Sequence, residues 1–296
     1  MKIVSLLPSA TEICGALGIQ SLLTAVSHEC DFPPEVTHLP RITRSILGHD
    51  LDQAGIDAAV SAAVRDGRAL YEVDGALLAR LAPDLIVTQG LCKVCAVTEQ
   101  TVHSAMGDLP VNIPILSLDA RSIAGVFEDI QRLADHAGVP ERGVAAVTEL
   151  TARWQAVVDA GARSARRPRV AFVEWSDPPF TGGHWVPEQI LAAGGVDVLG
   201  SPGIDSRRTT WAAIEAADPD LIVVGCCGFG LTDNLVTARA LRERLPHLRA
   251  VQEGRLWAVD ANGLYSRPGP RLVDGAEVFA RIFDGAVSVP GFAERA

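Results

Sequence analysis

A pentapeptide that occurs twice constrains this chain more than any other feature. Pro83-Asp84-Leu85-Ile86-Val87 recurs as Pro219-Asp220-Leu221-Ile222-Val223. Each copy follows an apolar stretch with helical spacing, residues 76–81 and 212–217, and each opens a run of aliphatic residues. Proline cannot continue a helix, and an aliphatic run bounded by such a breaker reads as a buried strand. A helix that feeds a strand at two equivalent places predicts two similar α/β lobes.

The rest of the chain repeats that alternation. Strand candidates lie at residues 3–7, 85–88, 115–118, 170–173, 221–224 and 256–259. They are rich in Val, Ile and Leu without alternating polarity, as expected for parallel strands buried on both faces. Residues 141–165 place Val144, Val147, Leu150, Trp154 and Val158 at spacings near three and four, which predicts one long amphipathic helix. A chain of 296 residues is long for a single core. The expected organisation is an N-terminal lobe over 1–140, a connecting helix over 141–166 and a C-terminal lobe over 167–296.

Charge and composition exclude several classes. A net charge of −10 repels phosphate backbones, so no nucleic-acid partner is expected. No run of about 20 apolar residues is present, so no membrane insertion is expected. The first strand begins almost at once, with Lys2-Ile3-Val4-Ser5, and leaves no room for a secretory leader. The expectation is a cytoplasmic protein, unless the native chain extends further upstream. Its six cysteines would then be reduced, which disfavours disulfides and favours metal, redox or packing roles.

Five of those cysteines fall just past predicted strands, where open α/β sheets bind their ligands. Cys30, in Ser27-His28-Glu29-Cys30-Asp31, follows a further strand expected just before it, Cys92 and Cys95 form a Cys-x-x-Cys after residues 85–88, and Cys226-Cys227 follow 221–224. Grouped thiolates suit zinc or an iron–sulfur cluster. A redox dithiol and plain packing remain open as alternatives. Cys14, beside Ile13 and Leu17, reads as a core residue of the first helix.

Other candidates occupy the same strand ends. His28 and Glu29 flank Cys30, and Gly182-Gly183 would let a ligand approach His184 and Trp185, one for coordination and one for stacking. Trp175 ends a strand, and Tyr265 and Arg267 follow residues 256–259, where they suit an anionic ligand. Arg41 and Arg44 pose the same question in the first lobe. Ser9 and Glu12 have the spacing of a capping box at the start of the first helix. No Walker loop, His-Glu-x-x-His or Gly-x-Ser-x-Gly is present, and whether the chain is an enzyme stays undecided.

Several segments, in their order and spacing, carry a resemblance. They are Ser5-Leu6-Leu7-Pro8-Ser9-Ala10-Thr11-Glu12, Asp31-Phe32-Pro33-Pro34, both Pro-Asp-Leu-Ile-Val units, Pro178-Pro179-Phe180-Thr181, and Arg267-Pro268-Gly269-Pro270-Arg271. Together they resemble the class III substrate-binding proteins of bacterial ABC importers, which take cobalamin and iron-siderophores, here in a signal-less, cysteine-containing variant. The resemblance implies two Rossmann-like lobes joined by a single long helix, with a corrinoid or other metal chelate held in an interlobe cleft.

Carried over residue by residue, it implies Phe32 and Phe180 as aromatic wall positions. Other wall positions fall near Arg44-Ser45 and Arg207-Arg208, which are not aromatic. The family's exposed docking glutamates correspond to Ala76 and Ala212, which puts permease docking in doubt. The expected ligand set is therefore Phe32, Arg44, Phe180, His184, Trp185, Tyr265 and Arg267, with cobalamin as one ligand. The alternative is a cytoplasmic iron–sulfur or zinc metalloprotein or enzyme built on Cys30, Cys92, Cys95, Cys226 and Cys227.

Overall fold

The computed structural model describes residues 1–48, 51–90, 101–102 and 113–296. They divide into two compact units, Met1–Ala120 with Ala124–Thr148, and Arg121–Ile123 with Glu149–Ala296. In the first unit the order is β1 (Ile3–Ser5), α1 (Pro8–Ala16), β2 (Leu23–Ala25), β3 (Thr43–Ser45), α2 (Gln53–Arg65), β4 (Tyr71–Val73), α3 (Gly75–Leu81), β5 (Leu85–Thr88), β6 (Ile115–Ser117) and α4 (Ile123–His136). The long helix α5 follows (Pro140–Arg163). The second unit then runs β7 (Arg169–Ser176), β8 (Pro179–Thr181), α6 (Val186–Ala192), β9 (Val196–Asp197), α7 (Trp211–Ala216), β10 (Leu221–Val224), α8 (Leu231–Arg244), α9 (Arg249–Gln252), β11 (Leu256–Val259), α10 (Ala261–Leu264), α11 (Leu272–Phe283), β12 (Ser288–Val289) and β13 (Ala293–Arg295).

The first unit holds a four-stranded sheet in the order β2-β1-β5-β6, parallel throughout, and β3 and β4 pair as a separate antiparallel ribbon. The second unit's sheet runs β12-β13-β11-β10-β7-β8, with β9 beside β7. Its centre, β11-β10-β7, is parallel, and the antiparallel strands lie towards its ends. All four residues of β5, β10 and β11 are buried, which is why their sequences are aliphatic without alternation.

Both copies of the repeated pentapeptide do the expected work. Asp74 caps α3 by accepting from the Leu77 N–H, and Thr210 caps α7 by accepting from the Ala213 N–H. A left-handed residue stands directly before each proline, Ala82 at φ 45° and Asp218 at φ 41°. That reversal ends the helix and aims the chain into the central strand. The first core gathers Val4, Leu6, Ala25, Leu78 and Ile86. The second gathers Ala171, Val173, Ile214, Ile222 and Ala258.

Two local expectations change. β1 is shorter than residues 3–7, and α1 begins at Pro8 with Leu7 as N-cap and no side-chain cap. Proline suits the first helical position because its missing N–H would lack a partner there anyway. Ser9 consequently lies inside the first turn, where its hydroxyl is buried with no partner, and Glu12 is buried too. The capping box does not form.

Candidate functional site

In the first unit the strand ends of β1 and β2 are joined by a compact polar network. Ser5 Oγ donates to Leu7 O at 2.8 Å, and Thr11 Oγ1 donates to Ser5 Oγ at 2.8 Å. The segment after β2 rests on that network, because Cys30 Sγ lies 3.1 Å from Thr11 Oγ1 and 3.4 Å from Ser27 Oγ. Arg41 braces the segment from outside, its guanidinium donating to Ser27 O at 3.0 Å and to Cys30 O at 2.6 Å. So Arg41 holds the loop in shape. His28 is fixed as well: its N–H donates to Thr43 Oγ1 at 3.0 Å, its Nδ1 lies 2.7 Å from the same oxygen, and its ring packs on Tyr71. Phe32 projects from this braced segment with 40% of its surface exposed. Arg44 is exposed on β3, but its Nε donates to Glu72 Oε2 across the ribbon at 2.7 Å, so its charge is balanced locally.

In the second unit the segment 203–209 lies antiparallel along residues 179–184. Thr181 N donates to Arg207 O at 2.9 Å, Arg207 N to Thr181 Oγ1 at 3.2 Å, His184 N to Ile204 O at 2.7 Å and Gly203 N to His184 O at 2.8 Å. Gly183 permits this approach, since a Cβ there would strike the Ser206 backbone. His184 takes a left-handed backbone at φ 54°, and its Nε2 lies 3.1 Å from Asp205 Oδ1. Arg121 pairs with the same carboxylate. Burial holds the His184 imidazole below its ordinary range, Asp205 pulls it back up, and Arg121 adds to the lowering.

That antiparallel pairing builds an aromatic surface at the carboxyl ends of β7 and β10. Arg208 sits over the Phe180 ring, 5.6 Å from its centroid. Trp175 is opposite Phe180 in the β7–β8 register and meets Phe229 edge-on, with centroids 5.5 Å apart. Trp175, Phe180 and Phe229 are all partly exposed. Such a surface can stack on a flat ligand, and the guanidiniums of Arg207 and Arg208 can meet anionic groups.

Three expected ligand contacts are buried within the second unit. Trp185 is 4% exposed and donates through Nε1 to Tyr265 O at 2.7 Å. Tyr265 is 3% exposed, and its hydroxyl donates to Gly275 O at 3.0 Å. Its ring packs on Phe172 and Phe279, and burial pushes its phenol well above the ordinary range. Arg267 is buried as well. The polar ends of Trp185 and Tyr265 are spent inside the unit, as buried indoles and phenols require.

The cysteines divide likewise. Cys30 and Cys226 are buried, Cys226 within the second core, while Cys227 is exposed. Cys14 is buried, as its neighbours on the helix suggested. Cys92 and Cys95 lie outside the described residues. Among the described residues, no three His, Cys, Asp or Glu side chains converge to hold a metal. The residues that sequence reasoning overlooked are Phe229 and Asp205. Phe229 follows a strand end as directly as Cys227 does, and that position was the available signal; nothing in the sequence links Asp205 to His184.

Comparison with known proteins agrees with the architecture. A family described as periplasmic binding protein matches residues 3–262. The vitamin B12-binding protein of Vibrio cholerae serotype O1 is 23% identical over 280 residues, covering 93% of this chain and 86% of that one. An uncharacterised ABC transporter substrate-binding lipoprotein of Bacillus subtilis is 24% identical over 292 residues, covering 94% of this chain and 78% of its own length. Among solved structures, the apo periplasmic heme-binding protein of Roseiflexus sp. RS-1 superposes with a TM-score of 0.70 at 22% identity, covering 96% of this chain and 98% of that one. The expectation of a cytoplasmic protein is overturned: the matching family is described as periplasmic binding protein, and these relatives are described as periplasmic proteins or as a transporter lipoprotein. An early strand was a poor guide to compartment.

Proposed function

The chain belongs to the periplasmic binding protein family, and from that premise we propose that it binds a flat metal-chelating macrocycle, of the corrinoid or heme type, as transport cargo. The observation that carries this reading is the surface formed by Phe180 beneath Arg208 and by Trp175 against Phe229. A macrocycle offers a broad apolar face and a polar rim, and that surface offers rings flanked by guanidiniums. The names of the relatives support the class of cargo, since one binds vitamin B12 and another heme.

Phe180, Arg207 and Arg208 are the proposed contacts in the second unit, and Phe32 is a proposed contact of the first. His184 stands on the loop next to this surface as a candidate donor to a chelated metal, although its Nε2 is engaged by Asp205. The reading uses no metal–sulfur cluster: among the described residues no three His, Cys, Asp or Glu side chains converge, and Cys226 packs within the second core. Ala76 and Ala212 stand where the family's docking glutamates are expected, so a permease partner would be engaged through other side chains.

Titration of the purified protein with cyanocobalamin and, separately, with hemin tests the proposal. Binding of either is expected to quench tryptophan fluorescence through Trp175 and to shift the visible spectrum of the macrocycle. Failure of both probes to bind at micromolar concentration would refute the macrocycle reading while leaving the fold assignment intact.

A further inference from the structure

We propose that Cys14 and Cys30 form a disulfide that fastens the segment after β2 to α1 when the protein folds in an oxidising compartment. Three separate observations place Cys30 and its segment against the helix that carries Cys14. Cys30 Sγ lies 3.1 Å from Thr11 Oγ1. Thr11 and Cys14 are three residues apart on α1 and so share one face, with Cβ atoms about 5–6 Å apart. One residue further along, a Cβ on Gly15 would meet Pro33 Cγ at 3.0 Å, so the helix runs close beside this same segment.

Both side chains are thiols in this structure and both are buried. Burial pushes the Cys14 thiol up to about 12, and the nearby Cys30 adds to the rise. The relatives' location outside the cytoplasm removes the reducing environment that had disfavoured cross-linking.

The oxidant is a small-molecule or protein disulfide. One cysteine thiolate attacks a sulfur of that disulfide, forming a mixed disulfide and releasing one oxidant thiolate, which takes up a proton. The second cysteine thiolate then attacks the cysteine sulfur of the mixed disulfide. The Cys14–Cys30 bond forms, the mixed bond breaks, and the second oxidant thiolate leaves and is protonated. Two electrons pass from the cysteines to the oxidant. Buried thiols that keep their protons are inert, so the exchange takes place while the chain is still open, and the finished bond is sheltered from reductants. Phe32 follows two residues after Cys30, so the bond also restricts where that ring is presented.

The test is made on the whole wild-type chain, unfolded, reduced and refolded in a mixed glutathione buffer. Free thiols are trapped with N-ethylmaleimide under denaturing conditions, and the protein is digested and mapped by mass. The expected result is one cross-linked species joining the peptides of Cys14 and Cys30, which separates on reduction. Melting of the oxidised protein is expected about 5 °C or more above the reduced protein. Recovery of Cys14 and Cys30 as alkylated thiols, or a cross-link from either to another cysteine, would overturn the proposal. A Cys14→Ala chain that still folds gives a second readout: Cys30 is expected to be alkylated, and its capture by a third cysteine would count against the pair. None of these measurements depends on the cargo, so they stand apart from the macrocycle reading.

Discussion

The Asp220 carboxylate accepts the backbone N–H of Arg169 at 2.9 Å, while the Asp220 N–H donates to Arg169 O at 2.7 Å. The first unit holds the same reciprocal pair, with Asp84 accepting from Lys2 N at 2.7 Å and donating to Lys2 O at 2.8 Å. In each unit the aspartate of the repeated pentapeptide therefore locks the start of one parallel strand to the start of its neighbour. Proline fixes the bend, aspartate sets the register, and the three aliphatic residues enter the core. The repeat is a structural device used twice, and the candidate site side chains of the second unit sit at the opposite ends of the strands it aligns.

Removing that lock is expected to cost more in the second unit. Asp220 also pairs with Arg249, with Nη2 3.1 Å away, whereas Asp84 is more exposed. Asp220→Ala leaves the Arg169 N–H and the Arg249 guanidinium without this acceptor. Its expected cost is about 1–2 kcal/mol, and that of Asp84→Ala nearer 0.5–1 kcal/mol. Urea unfolding of both variants checks the order, and equal losses would mean that Arg249 contributes nothing through Asp220.

Gly161→Ala tests packing against propensity. Inside a helix alanine is favoured over glycine by about 1 kcal/mol. Gly161 lies on α5, where a Cβ would meet the backbone of the turn after α6, 2.7 Å from Gly194 N and in collision with Ala192 O. Backbone cannot step aside as a side chain can, so overpacking at about 1–3 kcal/mol prevails and the variant is expected to be less stable. A rise in melting temperature would show that the approach relaxes freely.

The fold was legible because its signals are local. Aliphatic runs without alternation, a helix with apolar residues at spacings of three and four, and a repeated breaker all survive without knowledge of tertiary contacts. The candidate site was less legible, because strand ends can be located from sequence while the direction of a side chain cannot. Phe180 and Trp185 are five residues apart and looked alike, yet one lies under Arg208 at the surface and the other is bonded to Tyr265 O inside. Ser9 and Glu12 had the spacing of a cap, but Pro8 took the first helical position and moved both inward. Asp205 could not be paired with His184 beforehand, since their contact depends on the antiparallel course of a loop with no regular pattern.

Stability is expected to fall as the solution is acidified below about pH 6.5. Burial lowers the imidazole of His28, with Glu29 opposing and Arg41 adding to the effect. Burial also lowers His184, with Asp205 opposing and Arg121 adding. A depressed folded value means that the unfolded chain binds more protons in this window. The stability these residues confer is thus present above about 6.5 and is lost as the pH falls through the folded values. Melting curves between about pH 7.5 and 5.5 check this, and His184→Gln is expected to flatten the slope. An unchanged slope in that variant would assign the acid sensitivity elsewhere.

Phe180 and Trp185 provide the sharpest separation of ligand contact from framework. Phe180→Leu keeps an apolar side chain on β8 but removes the ring that Arg208 covers. If the ring face meets the macrocycle, affinity is expected to fall about tenfold, on the order of 1.4 kcal/mol, with little change in melting temperature. Trp185→Phe keeps a ring in the core but removes the donor to Tyr265 O. A buried carbonyl left without its partner costs about 1–3 kcal/mol, so the melting temperature is expected to drop while folded protein retains its affinity. Titration with the better-bound macrocycle, run beside thermal melting, reads both quantities on both variants. The opposite pattern, with affinity lost in Trp185→Phe and retained in Phe180→Leu, would exchange the two roles and move the binding surface to the other side of β8.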